Sequence, residues 1–203
     1  MGGSSEALGQ SADTLNRPTL AATAPAAAPV AAAVTAASTP TASKATTVEQ
    51  IAREAAWLRG AGWHLAALVD RFSTGAPLSE EAQCMAVAVY HEARGESLEG
   101  QLAVARVIMN RAVSGKYPAS WCGVVKQPWQ FSFVNPRTGV MPGVDAASAA
   151  WRKAQGITRL AMANAVPSLS TDTLWYHADY VAPSWGRRLQ RAQKIGTHIF
   201  YRS

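Results

Sequence analysis

The sequence predicts an α+β fold that is mainly α, and three observations carry this. Two adjoining segments, 80–94 and 98–114, repeat apolar residues at helical spacing and open on good caps. A third helical segment covers about 145–165, and only two short stretches, 129–133 and 173–177, alternate with the period of a strand. Low-complexity sequence precedes all of this. Residues 1–46 are dominated by Ala, Thr, Ser and Pro and hold hardly a large apolar side chain, so they cannot bury enough surface to offset their conformational entropy. A disordered tail is expected there, then a helical lead-in over 47–76 and the main folded domain over 77–203.

In the lead-in, Val48, Ile51, Ala55 and Leu58 make one stripe, and Leu65, Leu68, Val69 and Phe72 a second, with a break expected near Gly60 and Gly62. His64 reads as a surface or half-buried histidine. The first helix of the domain starts at the N-cap Ser79, has Glu80 and Glu81 in its first turn, and ends near Arg94, with Gly95 expected in the left-handed conformation. Its alanines allow close packing, which makes it central. Ser97 caps the second helix, whose buried stripe is Leu98, Leu102, Ala105, Ile108 and Ala112, and Gly115 stops it. One or two helical turns are expected over 117–126, with Pro118 in the first turn. In 127–133 the aromatics Trp129, Phe131 and Phe133 alternate with Gln130 and Ser132, which reads as a strand with one polar face. Asp145 is the expected cap of the third helix, where Gly156 is a weak point and Ala149, Trp151 or Arg152, Ala154, Ile157, Leu160 and Ala161 face inward.

The charge narrows the partners. The four charged residues of the tail, Glu6, Asp13, Arg17 and Lys44, cancel, so the formal charge of +6 belongs to residues 47–203. From Val181 onward come Arg187, Arg188, Arg191, Lys194 and Arg202 with no acidic residue, which suits a polyanion. No nucleic-acid module organises these residues, so nucleic acid is not an expected partner. Met1-Gly-Gly-Ser-Ser lacks the basic and leucine-rich regions of a signal peptide, and the Ala run with Pro25 and Pro29 is too weakly apolar for stable membrane insertion.

Glu92 is the residue of chemical interest. It lies in the last turn of a mostly apolar helix, where the helix dipole and partial burial both disfavour the ionised form, as a general acid working near neutral pH requires. The bland alternative is an exposed Glu paired with Arg94 or Arg111. A zinc peptidase is disfavoured, because H-E-x-x-H needs a histidine where the chain has Gly95, and His64, His91, His177 and His198 lack paired spacing. Neither a metal nor another cofactor is expected. Cys84 and Cys122 are not a C-x-x-C pair and read either as two buried thiols or as a bridge across the helical hairpin, which would stabilise by roughly 4 kcal/mol if unstrained.

His91-Glu-Ala-Arg-Gly-Glu-Ser followed by Glu99-Gly-Gln-Leu-Ala-Val-Ala-Arg-Val-Ile-Met-Asn-Arg resembles the signature of cell wall hydrolases of the spore-cortex-lytic type. Further blocks agree in order up to the closing Ile195-Gly-Thr-His-Ile-Phe-Tyr201, so the resemblance spans about residues 78–202. It implies a lysozyme-like, lytic-transglycosylase-like domain, with Gln130-Phe131-Ser132 lining the cleft and an aromatic segment before a final basic helix and a short closing strand. The implied catalytic acid is Glu92. Substrate-binding candidates are Glu96, Gln101, Gln130, Phe131, Ser132, Trp175, Tyr176, His177 and Tyr180, and the resemblance favours a Cys84–Cys122 disulfide. The implied partner is the peptidoglycan glycan strand, met by a monomer acting on the cell wall. Bacterial autolysin, phage or prophage lysin and phage-particle component stay open as origins. The implied reaction cleaves the MurNAc-β-1,4-GlcNAc bond to a 1,6-anhydro product. Alternatives are a muramidase drawing a second carboxylate from Glu96, Asp145, Asp172 or Asp179, and a non-catalytic wall-binding protein.

Overall fold

The computed structural model describes residues 47–167 and 169–202, so the expected disorder of residues 1–46 lies outside the described residues. Among the described residues six α-helices and one small sheet follow in order: α1 Val48–Gly60, α2 Leu65–Arg71, α3 Glu80–Ala93, α4 Leu98–Val113, α5 Trp121–Lys126, α6 Ala149–Met162, β1 Thr173–Ala178, β2 Gln190–Ile195 and β3 His198–Arg202. The fold is thus mainly α with a small β element. Among the described residues no helix is long and apolar enough to cross a membrane.

Side-chain caps set most of the helix starts. Thr47 and Gln50 form a reciprocal capping box on α1, while Ser79, Ser97, Ser120 and Ser148 each accept a backbone N–H at the start of α3, α4, α5 and α6. The break between α1 and α2 falls where Gly62 takes φ 88°, and His64 caps α2 through Nδ1. Gly115, at φ 71°, sits just beyond α4 as expected. Gly95 does not adopt positive φ, since Arg94 ends α3 in a right-handed conformation and the chain turns straight into α4. The cap of α6 is Ser148 instead of Asp145, whose carboxylate accepts from the Ala147 N–H one turn earlier. The helix ends at Met162, Trp151 is its buried residue in place of Arg152, and Ala149 is exposed. Likewise α5 begins at Trp121, leaving Pro118 outside it.

Helix α3 is buried on every side from Cys84 to Tyr90, as a helix apolar all round must be, and α4, α5 and α6 pack around it. The lead-in helices join the same core through Ile51, Ala55, Leu58, Leu68, Val69 and Phe72. Gly156 is not a weak point of α6 but its point of closest approach to α2: a Cβ there would lie 2.4 Å from the Val69 carbonyl oxygen. Buried Arg159 reinforces this contact by donating to the carbonyls of Phe72 and Ala76 at 3.1 and 2.9 Å. Cys84 and Cys122 are joined in a disulfide, with Cα atoms 5.2 Å apart, which ties α5 to the start of α3.

Two expectations about the β element fail. Residues 127–133 form turns and no strand: Phe131 is buried, but Trp129 takes φ 67° and is 85% exposed, so the three aromatics do not share a face. The expected final basic helix is a short 3-10 turn, Gly186–Arg188, followed by strand β2. The sheet order is β1-β3-β2, with both pairs antiparallel. Edge strand β2 carries Arg191 and Lys194 outward, a composition that discourages pairing with another edge. Gly196, at φ 57°, makes the tight turn into β3.

Candidate active site

Three elements meet at Glu92. The carboxylate stands in the last turn of α3, half buried, at one side of a cleft of about 540 Å³ whose other lining residues are Trp129, Gln130, Phe131, Ser132, Val134 and Pro136. The wall opposite Glu92 is therefore the turn segment after α5. Phe131 anchors that wall in the core, and Phe133 stacks on His91 with ring centroids 5.1 Å apart, which fixes the segment against the end of α3. Trp129 stays outside, at the lip.

The third element is β1. Its path is set by α4: Asn110 Nδ2 donates to the carbonyls of Ser170 and Thr173, and buried Arg111 Nε donates to that of Leu174 at 2.8 Å. Two residues further on, Tyr176 points inward and its hydroxyl donates to Glu92 Oε1 at 3.1 Å. Burial, with the Glu92 carboxylate adding to it, pushes the Tyr176 phenol well above its ordinary range, so it is a proton-bearing donor throughout neutral pH. The Arg111 guanidinium lies over the Tyr176 ring, 5.9 Å from its centroid.

The predicted site residues separate into three groups. Gln130, Phe131 and Ser132 line the cleft, and Tyr176 touches Glu92 directly. Trp175 and His177 are strand neighbours of Tyr176 and so face the other side of the sheet. There Lys116 lies over the Trp175 ring, and His177 stacks on Tyr201 with centroids 5.3 Å apart. His177 Nδ1 donates to the Ala178 carbonyl at 2.8 Å, and its Nε2 is hydrogen-bonded to the Tyr201 hydroxyl at 2.9 Å. Tyr180 is 85% exposed beyond the end of β1.

Glu96 and Gln101 form the third group and are engaged within the protein. Gln101 Nε2 donates to the Glu96 carbonyl at 3.1 Å, holding the α3–α4 turn. The Glu96 carboxylate accepts the Thr197 N–H at 3.0 Å and the Thr197 hydroxyl, with His198 Nδ1 3.7 Å away. Burial alone would push this carboxyl up, but the Thr197 hydrogen bonds and the nearby His198 hold it below its usual range.

The remaining acids named as possible partners of Glu92 do not line its cleft. Asp172 accepts from the Ser170 hydroxyl, Asp179 pairs with Lys194 at 2.6 Å, and Asp145 is in the turn before α6. Two contributors were missed from sequence. Alternation places Trp129 in a strand, and no local signal marks its left-handed backbone. His198 packs its ring perpendicular to Tyr176 at 5.2 Å, a contact created by strand pairing alone.

The site is thus a half-buried glutamate at the end of a central helix, facing a groove lined by aromatic, amide and hydroxyl side chains. The sequence profile of the cell wall hydrolases matches residues 95–201, just over half the chain, and the chain belongs to that family. Glu92 lies just ahead of the matched segment. The spore cortex-lytic enzyme of Oceanobacillus iheyensis is 35% identical over 123 residues, 59% of this chain and 41% of that protein. The spore cortex-lytic enzyme of Bacillus subtilis is 34% identical over 127 residues, 60% of this chain and 37% of that one. The chain thus spans about two fifths of the length of these relatives. Among solved structures, the catalytic domain of the germination-specific lytic transglycosylase SleB from Bacillus anthracis is 32% identical, covering 64% of this chain and 100% of that one, at a TM-score of 0.49.

Proposed function

We propose that this protein cleaves the β-1,4 bond between N-acetylmuramic acid and N-acetylglucosamine in peptidoglycan, as a lytic transglycosylase with Glu92 as its single acid and base. The observation that carries this reading is that Glu92 is the one carboxylate lining the cleft among the described residues. A hydrolase of the ordinary kind needs a second carboxylate across the scissile bond. The group nearest the Glu92 carboxylate is the Tyr176 hydroxyl, and a neutral donor cannot act as nucleophile or base while its proton is held so firmly.

Glu92 enters the cycle protonated. It gives its proton to the glycosidic oxygen as the bond from that oxygen to the muramic C1 breaks, and the N-acetylglucosamine chain leaves with a free hydroxyl. The Tyr176 hydrogen bond steadies the carboxylate so formed, since a hydrogen bond to the charged form favours it. Glu92 then takes the proton of the muramic C6 hydroxyl, whose oxygen bonds to C1 and closes the 1,6-anhydro ring. No water is consumed, and Glu92 ends the cycle protonated. Gln130 and Ser132 offer amide and hydroxyl groups to the sugar substituents, and Trp129 a flat apolar surface to a sugar face.

Digestion of purified peptidoglycan with the wild type and with Glu92→Gln tests this. Gln keeps shape and hydrogen bonding but cannot exchange the proton, so turnover is expected to fall by roughly 100- to 10,000-fold. Mass spectrometry is expected to find anhydromuramic ends, lighter by one water than reducing ends. Reducing muramic ends alone would return the reading to a muramidase, and undiminished cleavage by Glu92→Gln would refute it.

A further inference from the structure

The turn between β2 and β3 is fastened to the turn between α3 and α4. Glu96 receives both the N–H and the hydroxyl of Thr197. The neighbouring Gly196 lets the carboxylate come close, because a Cβ there would lie 2.1 Å from Glu96 Oε2 and displace it. The next residue, His198, is 7% exposed, and its Nδ1 lies 3.7 Å from Glu96 Oε1 with no hydrogen-bond partner. The His198 ring also meets Tyr176 edge-on at 5.2 Å and Phe200 at 6.2 Å. Tyr176 in turn pairs with Phe200 across the strands and ends on Glu92 at 3.1 Å.

We propose that Glu96 and His198 are a positioning pair for catalysis, which seats the β2–β3 turn so that the His198 ring fixes Tyr176 and, through its hydroxyl, the carboxyl of Glu92. The inference rests on the assignment of Glu92 as the acid. Glu96 is then not a substrate contact. It sits only four residues from Glu92 in sequence but acts on it by the long way round, through β3 and β1.

The geometry explains why this is needed. Arg111 braces Tyr176 from the α4 side, through the Leu174 carbonyl and the ring face, Phe200 packs on the ring at 5.6 Å, and His198 meets it edge-on, so a shift of His198 moves the ring. A shift of about 1 Å in the hydroxyl would cost the Glu92 hydrogen bond, and misplacements of that size are known to slow catalysis about 100-fold. Substrate-binding groups lie on the other wall of the cleft, on the segment after α5, and are not touched by the pair.

The test is a double-mutant cycle on soluble, uncross-linked glycan strands, reading kcat and KM apart. Glu96→Gln and, as a second and exposed variant, Thr197→Ala are expected to lower kcat by about tenfold with KM within about twofold. In a Tyr176→Phe background the same substitutions are expected to change kcat by less than about twofold, because the route to Glu92 is already cut. Equal losses in both backgrounds, or a loss confined to KM, would overturn the proposal. An activity-independent arm places 3-fluorotyrosine at position 176: its fluorine resonance is expected to move in Glu96→Gln and in Thr197→Ala, and an unmoved resonance in both would also overturn it. Glu92→Gln is run alongside. If that variant is inactive while the cycles are additive, only the positioning pair fails. If it cleaves like the wild type, the assignment of Glu92 fails and the pair with it.

Discussion

Trp129 holds a conformation that bulky L-residues avoid, and replacing it should separate stability from function. At φ 67° the left-handed backbone costs about 1–2 kcal/mol for a residue with a Cβ, while Asn tolerates it through local hydrogen bonding. The side chain is 85% exposed, so only a small part of its surface is covered. Taking a buried tryptophan as roughly 200 Å², that part is about 30 Å², worth under about 1 kcal/mol at ~25 cal/mol per Å², and Asn retains some of it. Trp129→Asn is therefore expected to stabilise the domain by about 0.5–1 kcal/mol, which at this size raises the melting temperature by roughly 1–4 °C. The same change removes the flat surface at the lip of the cleft that is proposed to meet a sugar face. Aromatic contacts of this kind contribute about 0.5–1.5 kcal/mol, so KM for soluble glycan strands is expected to rise by about 2- to 13-fold with little change in kcat. Thermal unfolding by circular dichroism and steady-state kinetics on one protein preparation check both halves. A fall in melting temperature, or an unchanged KM, would refute the reasoning that strain is held at this site for the sake of binding.

Gly156→Ala places a Cβ 2.4 Å from the Val69 carbonyl, where neither backbone can yield cheaply, so a loss of roughly 1–3 kcal/mol is expected in urea unfolding despite the better helix propensity of Ala. Replacing both Cys84 and Cys122 by Ala opens a loop of sequence separation 38 and should cost about 4 kcal/mol by the chain-entropy relation, seen as a lower denaturation midpoint that reductant no longer shifts. The Glu96 carboxyl lies below its usual range, so it binds a proton less readily folded than unfolded, and its contribution is present above the ordinary carboxylate pKa and lost as pH falls through the folded value. The melting temperature of Glu96→Gln should therefore lie below that of the wild type near neutrality and converge with it in acid. A gap that stays constant with pH would remove the charge from the account of the β2–β3 turn.

What the sequence determined by itself is what neighbouring residues decide between themselves. Ser79 and Ser97 cap α3 and α4 because each side chain reaches an N–H three residues ahead, and Gly115 ends the helical hairpin because its backbone suits φ 71°. The apolar run from Cys84 to Tyr90 marks α3 as the central helix, so the position of Glu92 in a half-buried last turn was legible before any tertiary contact was known. The first turn of a helix is local chemistry, and so is burial when the residues on every face are small and apolar. Period-two alternation is not local in this sense. Residues 129–133 and 173–177 alternate alike, but only the second finds a partner strand, because Asn110 and Arg111 hold its carbonyls and β3 lies alongside. The edge strand β2 carries charges that a helix would carry equally well, and only the Gly196 turn and pairing with β3 decide the matter. The site followed the same division. Glu92, Gln130, Phe131 and Ser132 were visible as residue types in a pattern, whereas the engagement of Glu96 by Thr197 spans 101 positions and the Tyr176 bond to Glu92 spans 84. Such contacts belong to chain segments that meet only once the core has formed. The direction a side chain faces on a strand, which sends Tyr176 to Glu92 and His177 away from it, is settled by the register of that meeting.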